Sequence, residues 1–197
     1  MGPFVFSLTT RVWQLAAINL VALGLMAFGL GLLGAAPALA ATLWAAGRTD
    51  DLTAGQLSRG MWREYRAEFV TANLAVLPLA LVALGSLALA LVLPMLALIV
   101  LLPLAWIAAG YALAALFAIS RLSGTATDAL ANARTGFSQA PMSHLIPVLA
   151  VPLVIWIASR QPLVALYFGL SAPCFFINTL LAGALASAMP SQREILQ

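Results

Sequence analysis

The chain is short of charge. Nine arginines and six acidic residues are its only formally ionised side chains in 197 residues, and lysine is absent. Charged residues make up 8% of the sequence and apolar residues 63%, where a soluble domain has about 25% and about 45–50%. So few ionisable groups cannot cover a soluble body, which argues against a soluble enzyme and against a disordered chain. The net charge of +3 is not gathered into a patch. The arginines sit between long uncharged runs, so no nucleic-acid partner is expected. A single cysteine, Cys174, leaves no intrachain disulfide and reads as a small buried apolar residue. A single histidine, His144, has no second histidine and no carboxylate in its own apolar stretch. A metal site or an acid–base pair cannot be assembled from this set, and without lysine there is no Walker-type phosphate loop. The expectation is a non-enzymatic protein with no cofactor and no metal.

What is abundant is apolar: alanine and leucine contribute 40 residues each. Four stretches carry no Asp, Glu or Arg: 12–47, 69–120, 135–159 and 161–192. A crossing helix takes about 20 residues, and in lipid the backbone must satisfy itself. Strand alternation is absent. The fold class expected is all-α, a polytopic helical membrane protein with residues 1–197 as a single transmembrane domain. About five full transmembrane helices are predicted, at 12–33, 69–92, 95–119, 144–159 and 162–188. Pro94 divides the second stretch, because proline removes a donor and disfavours helix before it. The first stretch would make a helix of about 54 Å against a core of about 30 Å. It must break, and Gly29, Gly31, Gly34 and Pro37 mark the place. A short helix at 36–47 follows, either re-entrant or interfacial. The run after Arg11 exceeds the apolar region of a signal peptide, so Ala38-Leu39-Ala40 is not read as a cleavage site.

The positive-inside rule orients this layout. If 36–47 returns toward its starting side, eight arginines face one side and only Arg160 the other. If it does not, Arg11 joins Arg160. Either way the polar segments at about 48–68 and 121–142 and the C-terminus are cytoplasmic. The better split places the N-terminus there too.

Within the first polar segment, Thr53-x-x-Gln56 has capping-box form. Arg59, Arg63 and Arg66 fall within roughly 60° of one another on a helix, and Leu57, Met61, Trp62, Tyr65 and Phe69 occupy another arc. This predicts an amphipathic interfacial helix, with Trp62 and Tyr65 at headgroup level. Its arginines, with Trp62, are candidates to face lipid or a partner. In the second segment, Thr125-x-x-Asp128 can cap a short helix ending near Gly136. Inside the predicted crossings the polar candidates are neutral: Asn19, Asn73 and Asn178. They suit interhelical hydrogen bonding, or the coordination of a polar solute.

Ile18-Asn19-Leu20, then Gly34-Ala35-Ala36-Pro37-Ala38-Leu39-Ala40-Ala41-Thr42-Leu43-Trp44, then Met61-Trp62-Arg63-Glu64-Tyr65-Arg66-Ala67-Glu68-Phe69 resemble the start of the YesL-like family of bacterial integral membrane proteins. The resemblance covers residues 15–75. Gly34–Ala38 stands where the family has Gly-Pro-Ala, and Arg66 and Phe69 echo its Phe-Lys-x-Asn-Phe pattern loosely. It implies a multi-pass protein of the bacterial cytoplasmic (inner) membrane. The implied role is accessory, beside carbohydrate uptake of the ABC type, with the lipid bilayer and transporter subunits as partners. No ligand residues carry over. The alternative is a small-solute membrane carrier acting as a homo-oligomer through its asparagines.

Overall fold

The computed structural model describes residues 3–93, 97–122, 124–139 and 141–188, and these form helices with no strand among them. In order they are α1 (Pro3–Phe28), α2 (Leu32–Ala46), α3 (Ala54–Ala67), α4 (Phe69–Val92), a π-helical turn (Ala97–Leu101), α5 (Leu102–Arg121), α6 (Ala126–Gln139), α7 (Pro141–Arg160), α8 (Pro162–Phe168) and α9 (Ser171–Ala188). Among the described residues, three helical segments are long and apolar enough to cross a membrane: Thr9–Phe28, Phe69–Val92 and Ile99–Arg121. Helices α8 and α9, bent by 50°, make a fourth if counted as one span. The chain therefore fits an integral membrane protein with three to four candidate crossings, against the five expected. Pro94, expected to divide the second stretch, lies outside the described residues, as does Arg193.

The chain divides into two compact units, Met1–Phe69 with Ala150–Thr179 and Val70–Leu149 with Leu180–Gln197. The first is built on an antiparallel α1–α2 hairpin. Its turn comes earlier than expected. Gly31 N–H donates to the Met26 carbonyl at 2.8 Å and Leu30 N–H to the Ala27 carbonyl at 3.2 Å. This pairing is a Schellman motif. The left-handed position is taken by Leu30 (φ 58°), and Gly31 follows at φ 74°. The turn thus satisfies its own carbonyls, and α2 begins at Leu32, four residues before the expected start at 36, with Pro37 inside it. At the other end of the hairpin, Arg11 forms an ion pair with Asp50 at 2.6 Å and Gln14 donates to the Leu52 carbonyl at 2.8 Å. Helix α2 therefore runs back to the level at which the charge-free part of α1 begins. Seventeen residues of α1 and the fifteen of α2 separate the two ends, about 22–25 Å.

Helix α3 begins where Gln56 Oε1 accepts from the Thr53 N–H at 2.9 Å, as the capping sequence predicts. It does not lie across the hairpin end. Its start is beside Trp44 and Leu52, whereas Trp62 meets Phe28 edge-on at 5.3 Å and Tyr65 reaches Gly29 at the turn. It runs alongside both arms. Leu57, Met61 and Tyr65, spaced four apart, share the core with Ile18, Ala22, Leu25, Ala38, Ala41 and Trp44. Tyr65 is therefore buried in the protein at 2% exposure, while Trp62 is 41% exposed. Three residues turn the helix by about 300°, so Trp62 lies about 60° to one side of Tyr65, off the Leu57–Met61–Tyr65 row and at the surface.

In the second unit, α5 packs on α6. Phe137 stacks on Tyr111 at 4.3 Å and lies 5.9 Å from the His144 ring. His144 is buried at 2% exposure. Trp106 Nε1 donates to the Leu145 carbonyl at 3.0 Å. The α6 cap forms as predicted: Thr125 donates its N–H and its hydroxyl to Asp128 Oδ2 at 2.9 and 2.7 Å. The helix continues through Gly136 to Gln139, so Arg134 is not in its last turn.

Two predictions follow from these contacts. The buried Tyr65 hydroxyl has no hydrogen-bond partner among the described residues, and a Cβ at Gly29 would strike both it and the Gly34 backbone. Tyr65→Phe is expected to leave thermal stability unchanged or raised, whereas Gly29→Ala should lower it by about 1–3 kcal/mol through overpacking. Melting curves in one detergent check both. The Asp128 carboxyl is held below its ordinary range, first by the Thr125 hydroxyl and then by the Thr125 N–H. A depressed acid stabilises the fold above its ordinary pKa, and that contribution is lost as pH falls through the lowered value. The first turn of α6 should therefore fray below about pH 4, read as a fall in the protection factor of the Ala129 amide, which donates to the Thr125 carbonyl. Protection that did not change with pH would contradict this.

Candidate functional site

Two places in the first unit hold polar side chains where apolar ones dominate. The first is the break between α8 and α9, where a single helix was expected over 162–188. At the break, the Leu166 carbonyl and the amide hydrogens of Leu170 and Ser171 lose their helical partners, whereas the Ala165 carbonyl keeps Gly169 N–H at 2.8 Å. Asn19, from α1, supplies replacements. Its Nδ2 donates to the Leu166 carbonyl at 2.6 Å and the Ala165 carbonyl at 3.4 Å. Its Oδ1 accepts from Leu170 N–H at 2.7 Å and Ser171 N–H at 3.0 Å. An amide offers two donors and two lone pairs, so the fully buried Asn19 has its full capacity engaged. It holds two half-helices to α1 and has nothing left for a solute. Asn178 is buried on α9, and Asn73 is half-buried on α4.

The second place is a cleft between the end of α2 and α3, with a volume of about 600 Å³. Trp44 and Arg48 line one side and Gln56, Arg59, Gly60 and Arg63 the other, with Asp51 and Leu52 between. The Arg48 guanidinium lies 4.5 Å from the centroid of the Trp44 ring, and its Nη1 donates to the Trp44 carbonyl at 3.0 Å. Burial draws the Arg48 pKa below its ordinary value; the Glu64 and Asp51 charges oppose that, and the Arg63 charge adds to it. Gly60 lets the two helices approach, because a Cβ there would run into the Trp44 ring.

The predicted arginine row therefore divides. Arg59 and Arg63 face the Trp44 cleft. Arg66 lies 6.0 Å from the Trp62 ring and lines a separate crevice of about 350 Å³ with Phe28, Gly29, Leu33 and Phe69. Arg48 was missed as a site residue. The signal was there in Trp44-x-x-x-Arg48, a spacing that puts an aromatic and a cation on one helical face. Because α3 runs along the hairpin, its arginines extend beside an apolar span instead of only beyond its end. Comparison with protein-family models, curated proteins and solved structures finds no match.

Asn19→Ala tests the first place. Removing the amide leaves buried Leu170 and Ser171 N–H groups unpaired, which is expected to cost about 1–3 kcal/mol. It should also accelerate amide exchange at those two residues in bilayer discs. Unchanged exchange would show that the break closes without Asn19.

Proposed function

We propose that the chain is a multi-pass accessory protein of the bacterial cytoplasmic membrane, of the YesL-like type, which associates with the membrane subunits of an ABC-type carbohydrate uptake transporter and catalyses no reaction. One observation carries the reading. The buried asparagine best placed to bind a solute, Asn19, is consumed in holding the helices together, while the cations are displayed outward on α3. Such a molecule presents a surface more than it encloses a path.

In this reading α1, α4, α5, α7 and the bent α8–α9 pair are the five crossings, and α2 is the re-entrant return. The Arg11–Asp50 ion pair supports the return, since it brings both residues to one end of the hairpin. The N-terminus and the start of α3 then face the cytoplasm with Asp50, and α3 leads the chain back toward the hairpin turn. A second reading, an oligomeric carrier of a small anion, draws support from the arginines beside the hairpin, since ionisable groups at span depth commonly mark a pathway.

Gentle purification from the native membrane tests the first reading. A transporter membrane subunit is expected to co-purify above the level seen with an unrelated multi-pass protein. If none does, and reconstituted vesicles accumulate a small anion, the carrier reading takes its place.

A further inference from the structure

The Trp44 cleft gathers three guanidinium groups around one open space, and its only carboxylate in the wall is Asp51. The nearest other acid, Glu64, stands 3.8 Å from an Arg63 side chain that is 75% exposed, a long contact that leaves most of that fork open to solvent. Arg48 is held in place by the Trp44 ring beneath it and the Trp44 carbonyl behind it. Arg59 uses only its Nε, toward the Gly55 carbonyl at 3.3 Å, which leaves its two terminal nitrogens for another acceptor. Gln56 directs its carbonyl oxygen to Thr53, so its amide N–H groups remain available. The cleft thus collects donors and excess positive charge, and Gly60 keeps its floor open to the Trp44 ring.

We propose that this cleft binds a phosphate-bearing anion. Planar guanidinium forks match phosphate oxygens in paired hydrogen bonds, and several forks can share one tetrahedral group. Like charges held at fixed positions repel, and a bound anion relieves that repulsion. The setting favours the same chemistry. Arginines alongside an apolar hairpin are costly in hydrocarbon and need water or headgroup phosphates against them. The phosphate can come from an anionic lipid or from solution, and neither source requires a transporter partner.

The test uses the full chain in bilayer discs of phosphatidylcholine. One arm measures binding of radiolabelled inorganic phosphate. The other adds phosphatidic acid to the disc and measures its retention by native mass spectrometry. The wild-type protein is expected to hold at least one of these probes at one equivalent. Phosphatidic acid alone identifies a lipid headgroup, and binding of inorganic phosphate as well identifies a soluble ligand. Arg59→Gln with Arg63→Gln should weaken binding by about tenfold or more, since each lost charge-assisted bond contributes at that level. Arg48→Lys, which keeps the charge and loses the fork, should weaken it several-fold, and Arg134→Gln on α6 should change nothing. If the double variant melts lower than wild type, Arg63→Gln alone carries the test, because that side chain is largely exposed. Failure to bind either probe, or equal losses with Arg134→Gln, would overturn the proposal.

Discussion

An apolar chain in an apolar medium must pair every backbone N–H and carbonyl with something of its own, and this constraint organises the structure. Unbroken helices meet it automatically. The interesting places are the interruptions, and the first unit has two within its apolar segments. At Gly29–Gly31 the backbone closes on itself, with the α1 carbonyls taken up by the amides of the turn. At Gly169–Leu170 the backbone alone does not suffice, and a side chain from a helix about 150 positions away in sequence completes it. The Asn19 amide takes up both ends of the ladder bond that Leu170 N–H and the Leu166 carbonyl would share, and the Ser171 N–H of the next. It ties α1 to the α8–α9 pair in the same act.

Packing follows from the same economy of polar groups. Helix α2 is nearly all small residues on the side toward its neighbours, and Gly29, Gly34 and Gly60 stand where a turn, a tyrosine and a tryptophan come close. The charged helix α3 can dock there because Leu57, Met61 and Tyr65 offer one narrow apolar row. Everything cationic on α3 is then left on the outside. The Trp44 cleft is a by-product of that docking: two helix surfaces meet, glycine lets them meet closely, and the arginines border the space.

How much of this was legible depends on whether the signal was local. The Thr53–Gln56 and Thr125–Asp128 caps were readable because a cap is written in four consecutive residues, and α4 was readable because an uncharged run flanked by Glu68 has one obvious start. The turn at Gly29–Gly31 was marked by its glycines but bounded too late, because its first left-handed residue is Leu30, where the usual reading looks for glycine. The break after Phe168 was hidden for the opposite reason. Gly169 is a weak breaker, and what permits the bend is Asn19, whose partners cannot be inferred from spacing. Tyr65 and Trp62 shared an arc on a helical wheel, but only the docked helix shows which of them meets the core. Arg48 was counted as a charge that orients the chain and not as part of a site, because the cleft exists only once α3 folds back along α2.

The central claim is that α3 runs beside the α1–α2 hairpin and does not lie across its open end; the Arg cleft, the buried Tyr65 and the depth of the arginines all depend on it. Pulsed dipolar spectroscopy between spin labels in bilayer discs tests this directly, with one label fixed at position 66 and the second at position 30 or 50. The structure predicts that 66 lies close to 30 and about 20 Å or more from 50, the length of α3 at 1.5 Å per residue. A short 66–50 distance paired with a long 66–30 distance would place α3 across the open end and contradict the account.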